Sequence, residues 1–212
     1  MLLLMQPDFG TAVLISALAL ILIFLGGGST IYIFSLFFLS LPIVYYLIFE
    51  VGYRRERIIA LLNPYKDPQG AGFQLIQSII AIGSGKIFGK GFGASRQKLF
   101  FLPSSYNDFI FSIIGEESGF IGATTVILLY LAFIILGVRI ALKTKDEFGN
   151  LLALGIVLLI ALQAFINIGV STGILPTKGL CLPFISYGGS SLVVNLTSVG
   201  ILLNIGKSQS KI

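Results

Sequence analysis

Residues 109–138 read FIFSIIGEESGFIGATTVILLYLAFIILGV, a long apolar run with only two charged residues. An α-helix needs about 20 apolar residues to cross the roughly 30 Å hydrocarbon core of a bilayer, so this run predicts a transmembrane helix. Its two charges, Glu116 and Glu117, are adjacent and lie near its beginning. Carboxylates inside such a helix are energetically unfavourable and indicate either function or a buried partner. We expect one of the two to pair with an Arg or Lys, which favours a structural role over catalysis.

The composition of the whole chain predicts the same environment. Hydrophobic residues make up 56% of the 212 residues and charged residues 11%, with a mean hydropathy of +0.98. A soluble domain carries about 25% charged residues, so this chain has too few to cover a water-facing surface. The predicted fold class is therefore all-α, a polytopic integral membrane helical bundle of about five transmembrane helices. Besides 109–138, the predicted spans are residues 11–27, 31–49, 151–170 and 190–206.

Missing residue types exclude several kinds of chemistry. The chain has no His, which removes His general bases, His-ligated metals and Ser-His-Asp triads. Its single cysteine, Cys181, excludes an intramolecular disulfide and a Cys-rich metal site, and the sequence specifies no metal ligand set. The net charge of +5 indicates an anionic partner, either lipid headgroups or a phosphate-bearing substrate, and nothing indicates nucleic acid.

Residues 50–107 form a long connection between the second and third predicted spans. It is rich in Gly, Pro and charge, with eight basic and three acidic residues. Loops this long are usually functional or disordered, so we expect the chemistry here. Within it, residues 74–82 are predicted to form a short helix in the membrane interface. The Gly-rich residues 83–93 predict a tightly turning loop, with the alternative that their backbone N–H groups approach a phosphate. Basic residues in the short loop 139–147 favour an external position for the long connection.

Asp108 lies where the long connection meets the third span. A carboxylate at a membrane boundary is partly desolvated, which should raise its pKa toward the range of a general base. The alternative is that Asp108 caps the helix beginning at Phe109 by accepting hydrogen bonds from its free N–H groups. The sequence alone supports both interpretations equally.

Three basic residues are expected on the same side of the membrane as Asp108. Arg54 and Arg57 are one helical turn apart, so they can present two guanidinium groups to a phosphate. The alternative is an ordinary basic flank at the end of the second span. Lys178 lies in the sequence LPTKG at residues 175–179, where the alternative is a solvated turn.

Other polar residues are expected to act within or between helices. Gln163 and Asn167 are one turn apart in the fourth span and are predicted to hydrogen-bond between helices. The sequence SYGGSS at residues 186–191 predicts either a small-residue packing site or an unwound, cavity-lining entry to the last span. Asp8 is expected to cap the first span or to anchor a gate.

In their order along the chain, these segments resemble the SEDS family, the FtsW/RodA/SpoVE polytopic proteins of bacterial cell-wall synthesis. The resemblance covers nearly the whole chain, and the PTKG form at 176–179 is more similar to the FtsW division branch than to the RodA branch. Family members usually have Pro-Glu and His-Thr before the Asp, where this chain has Pro103-Ser104 and Tyr106-Asn107. The matching segments are residues 6–11, Arg54 and Arg57, 63–67, 70–74, 77–78, 81–85, 89–91, 101–103, 108–111, 116–120, 167–170, 175–179, 182–184 and 186–191.

The resemblance implies an enzyme, a peptidoglycan glycosyltransferase that polymerises lipid II, the undecaprenyl-pyrophosphate-linked disaccharide peptide, during cell division. It implies the bacterial inner membrane, an active site facing the periplasm or exterior, and the division site. The implied partners are a class B penicillin-binding protein, which is a transpeptidase, other divisome proteins and membrane lipid. No cofactor is required, although a divalent cation could share the charge stabilisation. The implied site residues are Asp108 as the catalytic base, Arg54, Arg57, Lys98 and Lys178 for substrate binding, and Asp8, Glu116 and Glu117 for structure or coupling.

Two other functions stay open from the sequence. A lipid II flippase would use the same basic residues and the Glu116–Glu117 pair but would not need Asp108. A divisome scaffold would need neither the basic nor the acidic residues. Family members have about ten spans, so residues 1–212 are expected to form the carboxy-terminal half of such a membrane domain. Expressed alone, this half is expected to be unstable, or to dimerise and so hide its unsatisfied polar groups, and to make no glycan.

Overall fold

The structure, a computed structural model, describes residues 9–50, 52–95, 97 and 107–209, and the regular structure in these ranges is helical. Seven α-helices and one 3-10 turn at Pro64–Lys66 follow one another along this part of the chain. The α-helices are α1 (Phe9–Leu25), α2 (Thr30–Phe49), α3 (Gly52–Leu62), α4 (Phe73–Ser84), α5 (Ile110–Lys143), α6 (Glu147–Ser171) and α7 (Gly189–Gln209).

Each predicted span coincides with a helix, namely α1, α2, α5, α6 and α7. Among the described residues, three helices are long and apolar enough to cross a membrane: α5, α6 and residues 189–207 of α7. Shorter apolar helical stretches, Gly10–Leu25 and Thr30–Pro42, occupy the first two predicted spans. The prediction of an all-α polytopic membrane protein is confirmed.

Helices α5 and α6 form the centre of the bundle, with α1 packed on α6 and α7 packed on both. Small residues allow close approach: a Cβ added at Gly137 on α5 would lie 2.4 Å from Val157 Cγ2 on α6. The buried core between the helices includes Ile160, Val157 and Leu202. Large apolar side chains remain exposed on the outside, among them Phe34 at 62% on α2, and such a surface fits contact with lipid.

The predicted short helix in the long connection is confirmed as α4. One face of α4, which includes Leu75, Ser78 and Ala81, is buried against α5. Ser78 Oγ lies 2.5 Å from Ser112 Oγ of α5 and donates to the Ser171 carbonyl of α6 at 2.6 Å. These bonds join three helices, so α4 is docked on the bundle, and its position in the membrane interface stays a prediction.

Helix α5 is interrupted at Gly119, whose backbone has φ +66° and ψ −163°. In a continuous α-helix, the N–H groups of Phe120 and Ile121 would donate to the carbonyls of Glu116 and Glu117. Here Phe120 N donates to Lys86 O at 2.8 Å, and Ile121 N donates to a carbonyl of the same loop at 3.3 Å. The break therefore leaves two carbonyls of α5 in need of other donors.

Those donors come from residues 86–91, which we call the bracing segment. Lys90 N donates to Glu116 O and Gly91 N donates to Glu117 O, both at 3.0 Å. Gly89 lies so close to α5 that an added Cβ would be 2.1 Å from Glu117 O. The prediction of a tightly turning Gly-rich loop is confirmed for residues 85–93, whereas Gly83 and Ser84 belong to α4. Two N–H groups of this loop are used by α5. The bracing segment thus satisfies backbone groups that hydrocarbon could not satisfy.

Candidate active site

Asp108 lies in the turn of residues 107–109 that precedes α5. The N-cap position of α5 is Phe109, and no side chain makes a capping hydrogen bond there. The interpretation of Asp108 as an N-cap is therefore wrong, because the helix begins one residue too late for its carboxylate to fill that position. The carboxylate is left to serve another purpose.

Burial and a neighbouring charge determine the acidity of Asp108. Burial raises the pKa of its carboxyl above the ordinary value, and the positive charge of Arg57 opposes part of this rise. A carboxylate with a raised pKa is a stronger base than an exposed one. The turn before α5 thus carries the kind of group expected of a general base.

Arg57 connects the long connection to the segment that carries Lys178. From α3 its Nη1 donates to the carbonyl of Thr177 at 3.1 Å. Burial lowers the pKa of the adjacent Lys178 below the ordinary lysine value. An added Cβ at Gly179 would lie 3.5 Å from Asp108 Oδ2, so this segment runs directly beside the carboxylate. The structure therefore brings together Asp108, Arg57 and the segment carrying Lys178.

Asn167 holds the Asp108 turn in place from α6. Its side chain is 1% exposed, and its Nδ2 donates to the carbonyls of Asp108 at 3.0 Å and Leu180 at 2.7 Å. Asn167 was predicted to hydrogen-bond to another helix, and this is wrong: its amide bonds to two backbone segments outside the helices. It fixes the spacing between the turn and residues 177–180.

Ser186 makes a second connection of the same kind. Its Oγ donates to the carbonyl of Asn107 at 2.6 Å and accepts from the backbone N–H of Leu182 at 2.7 Å. Residues 185–188 are not helical and α7 begins at Gly189, which agrees with the predicted unwound entry. The sequence did not single out the positioning contacts of Asn167 and Ser186, because a bond to a distant carbonyl leaves no local pattern.

Cys181 is a neighbour of Asp108 that the sequence also left unassigned. Burial raises the pKa of its thiol, and the negative charge of Asp108 adds to the rise. The thiol therefore stays protonated and weakly reactive. Cys181 therefore lies near Asp108 but is not expected to act as a nucleophile.

Glu116 lies away from Asp108, two turns further along α5. Its side chain is fully buried, and its Oε1 accepts from Lys90 Nζ at 2.8 Å in an ion pair. Its Oε2 accepts from Ser95 Oγ at 2.6 Å and from the Gln97 backbone N–H at 3.4 Å. The prediction that one of the two Glu residues pairs with a basic residue is confirmed. Its contacts hold Lys90, Ser95 and Gln97 against α5.

The remaining predicted residues are placed as follows. Glu117 lies beside Glu116, and its backbone carbonyl accepts from the bracing segment. Arg54 is on α3, one turn before Arg57, but its side chain lies outside the described residues, as do Asp8 and Lys98. Within the described part of the chain no group of three or more His, Cys, Asp or Glu is placed to hold a metal ion. The divalent cation stays a prediction.

Comparison with known proteins gives one family over the whole chain. The sequence model described as "Cell cycle protein" (FtsW/RodA/SpoVE) matches residues 1–211. A Geobacter metallireducens protein named "Probable peptidoglycan glycosyltransferase FtsW" is 52% identical over 96% of this chain and 54% of its own length. "Stage V sporulation protein E" of Bacillus subtilis is 46% identical over 95% of this chain and 55% of its own length. The chain spans about half the length of the curated relatives it matches.

A solved structure has the same fold. It is described as "Structural coordination of polymerization and crosslinking by a peptidoglycan synthase complex" and matches with a TM-score of 0.76 at 32% identity. The match covers 98% of this chain and 58% of the other. The helical fold of this chain is therefore similar to that of the matched chain.

Proposed function

Because this chain belongs to the FtsW/RodA/SpoVE family of cell cycle proteins, we propose that it carries the site of a peptidoglycan glycosyltransferase that polymerises lipid II. It would form the carboxy-terminal half of the membrane domain, in the bacterial plasma membrane at the division site, with Asp108 facing the exterior. A class B penicillin-binding protein and other divisome proteins would be its partners. The names of relatives about 50% identical to the chain support the activity.

One observation supports the mechanism most strongly: a half-buried carboxylate, in the turn before α5, lies near a guanidinium. Asp108 has a raised pKa because of burial, and Arg57 is close enough to lower it. In the proposed reaction, Asp108 removes the proton from the acceptor hydroxyl. That oxygen then bonds to the donor sugar carbon as the bond from this carbon to the pyrophosphate breaks.

The leaving group is a lipid pyrophosphate, which gains negative charge as the bond breaks. Fixed positive charges aimed at such a group stabilise the transition state more than the ground state. Arg57 and Lys178 are the described candidates for this role, and Arg54 and Lys98 join them from the sequence. Burial destabilises the charged form of Lys178, so its ammonium gains more from an anion than an exposed lysine would.

The test is polymerisation of lipid II by the chain purified after co-expression with the part of the Geobacter metallireducens relative that it does not match. Asp108→Asn keeps size and hydrogen bonding but removes basicity, and general-base catalysis contributes about 10²- to 10⁴-fold, so the rate should fall by that factor. Asp146→Asn is the matched control. Asp146 caps α6 by accepting from Gly149 N at 2.7 Å, and Asn caps equally well.

The same experiment separates the alternatives. A flippase or a scaffold would not need a base, so Asp108→Asn would leave lipid II transport or divisome assembly unchanged. No polymer from the wild-type preparation, or equal rates for wild type and Asp108→Asn, would refute the proposal.

A further inference from the structure

A groove of about 350 Å³ opens beside Arg57, on the side of the long connection. This volume lies at the lower end of the range of about 300–1,000 Å³ for small-molecule sites. Asp108 does not line the groove. Arg57 links the groove to the active site, because it lines the groove and its charge acts on the Asp108 carboxylate. The residues that line it are Glu56, Arg57, Gln69, Gly70, Ala71, Phe73, Gln74 and Thr177.

The side chains in the groove offer paired hydrogen-bond donors and acceptors next to an aromatic ring. Gln69 and Gln74 each carry an amide that can donate and accept. Within the described part of the chain neither amide bonds to protein. Phe73 is half-buried, also lines the groove and supplies an apolar face. N-acetylated sugars present hydroxyl and amide groups at the ring edges and C–H groups on the ring faces, so this combination fits such a saccharide.

The rim of the groove is built rigidly around Asp67. Its Oδ1 accepts from Gly70 N at 3.0 Å and its Oδ2 from Ala71 N at 3.2 Å. The Asp67 carbonyl accepts from Gly72 N at 3.1 Å, and a Cβ at Gly72 would lie 2.1 Å from Pro64 O. The backbone that carries Gln69 and leads into α4 is therefore fixed before any ligand binds, which lowers the entropic cost of binding.

We propose that this groove is a saccharide subsite, which binds a sugar of the glycan next to the one that reacts at Asp108. The inference rests on the proposed glycosyltransferase function and extends it to Gln69 and Gln74, which have no part in the proposed chemical step. Arg57 spans the two positions, because its Nη1 bonds to Thr177 at the edge of the groove. Gln69 and Gln74 bind the sugar hydroxyl and N-acetyl groups, and they contribute to substrate binding without taking part in the chemical step.

The test replaces both amides by methionine, which keeps side-chain length and removes the hydrogen bonds. Each lost hydrogen bond should raise the KM for lipid II roughly fivefold, so Gln69→Met combined with Gln74→Met should raise it about 25-fold. The kcat should change by less than about twofold, because uniform binding was removed and the base was not. Gln77→Met is the matched control, since Gln77 lies one turn further along α4 and does not line the groove.

A binding measurement keeps this proposal separate from the activity. The probe is a β-1,4-linked tetramer of N-acetylglucosamine, titrated calorimetrically into the same purified preparation. If wild type and Gln77→Met bind the tetramer and the double variant does not, the subsite is supported even where no polymer forms. The absence of polymer alone would refute only the glycosyltransferase function. Equal affinity of the tetramer for wild type and double variant, or an unchanged KM in the double variant at an unchanged melting temperature, would overturn it.

Discussion

Replacing Gly89 with alanine should separate α5 from the bracing segment, and the size of the effect follows from two structural terms. Gly89 has φ +80°, a left-handed conformation that costs other residues about 1–2 kcal/mol. The new Cβ would also lie 2.1 Å from Glu117 O and 2.7 Å from Gly119 N, so one segment must move. That movement breaks the Lys90–Glu116 and Gly91–Glu117 backbone bonds, at about 1 kcal/mol each. The expected loss of unfolding free energy is therefore about 3–4 kcal/mol.

Gly93→Ala provides the matched control. Gly93 has φ +81°, the same conformation, but nothing lies within 4 Å of its added Cβ. This variant should lose only the conformational term, about 1–2 kcal/mol. The difference of about 2 kcal/mol corresponds to about 4–8 °C in melting temperature for a chain of this size.

Cys181 makes the measurement direct, because it is the only cysteine in the chain and is partly buried. Heating the purified protein in mild detergent with a fluorogenic maleimide should report unfolding as labelling of Cys181. We expect the midpoints to fall in the order wild type, Gly93→Ala, Gly89→Ala. Equal midpoints for the two variants would show that the contact between Gly89 and α5 contributes nothing.

Three further predictions concern the site and its side of the membrane. Arg57→Gln removes the charge that lowers the pKa of Asp108, so protonation should inactivate the base at a higher pH. The acidic limb of the pH–rate profile should therefore shift to higher pH, and an unmoved limb would contradict the pairing of Arg57 with Asp108. Asn167→Leu removes both hydrogen bonds that hold Asp108 and Leu180, so its kcat should fall about tenfold more than that of the control Asn195→Leu, which changes a buried Asn on α7. Equal losses of kcat would assign Asn167 to stability alone. In a Cys181→Ser background, Tyr65→Cys should react with an impermeant maleimide in spheroplasts and Lys143→Cys should not, and the reverse pattern would invert the topology.

Hydropathy predicted where the helices lie but not where α5 ends or breaks. The predicted span stopped at Val138, whereas α5 continues to Lys143. Basic residues such as Arg139 favour the negative end of the helix dipole, so the helix continues beyond the apolar run. The break at Gly119 could not be predicted from the sequence around it. A helix can be interrupted in the membrane only where another segment satisfies its backbone groups, and that segment lies about thirty residues earlier.

The sequence brought the charged residues of the site together but did not place the residues that hold them. Asp108, Arg57 and Lys178 could be grouped because their loops were predicted on one side of the membrane. Ser186 and Asn167 bond to backbone carbonyls 79 and 59 residues away in sequence, and such contacts depend on the tertiary structure alone.

Residues held by the helices of the bundle and residues of the connection between α2 and α5 are expected to affect the reaction differently. The Asp108 turn is fixed from α6 through Asn167, while Lys90 and Ser95 are fixed to α5 through Glu116. The base is thus positioned by helices that cannot move without disturbing the bundle core. Arg57 and the groove belong to the connection between α2 and α5, outside that core. Changes in the helices should therefore lower kcat by displacing the base, and changes in the connection should mainly raise KM. Glu116 lies on α5, so by this division Glu116→Gln should lower kcat, and a variant that raised KM alone would contradict it.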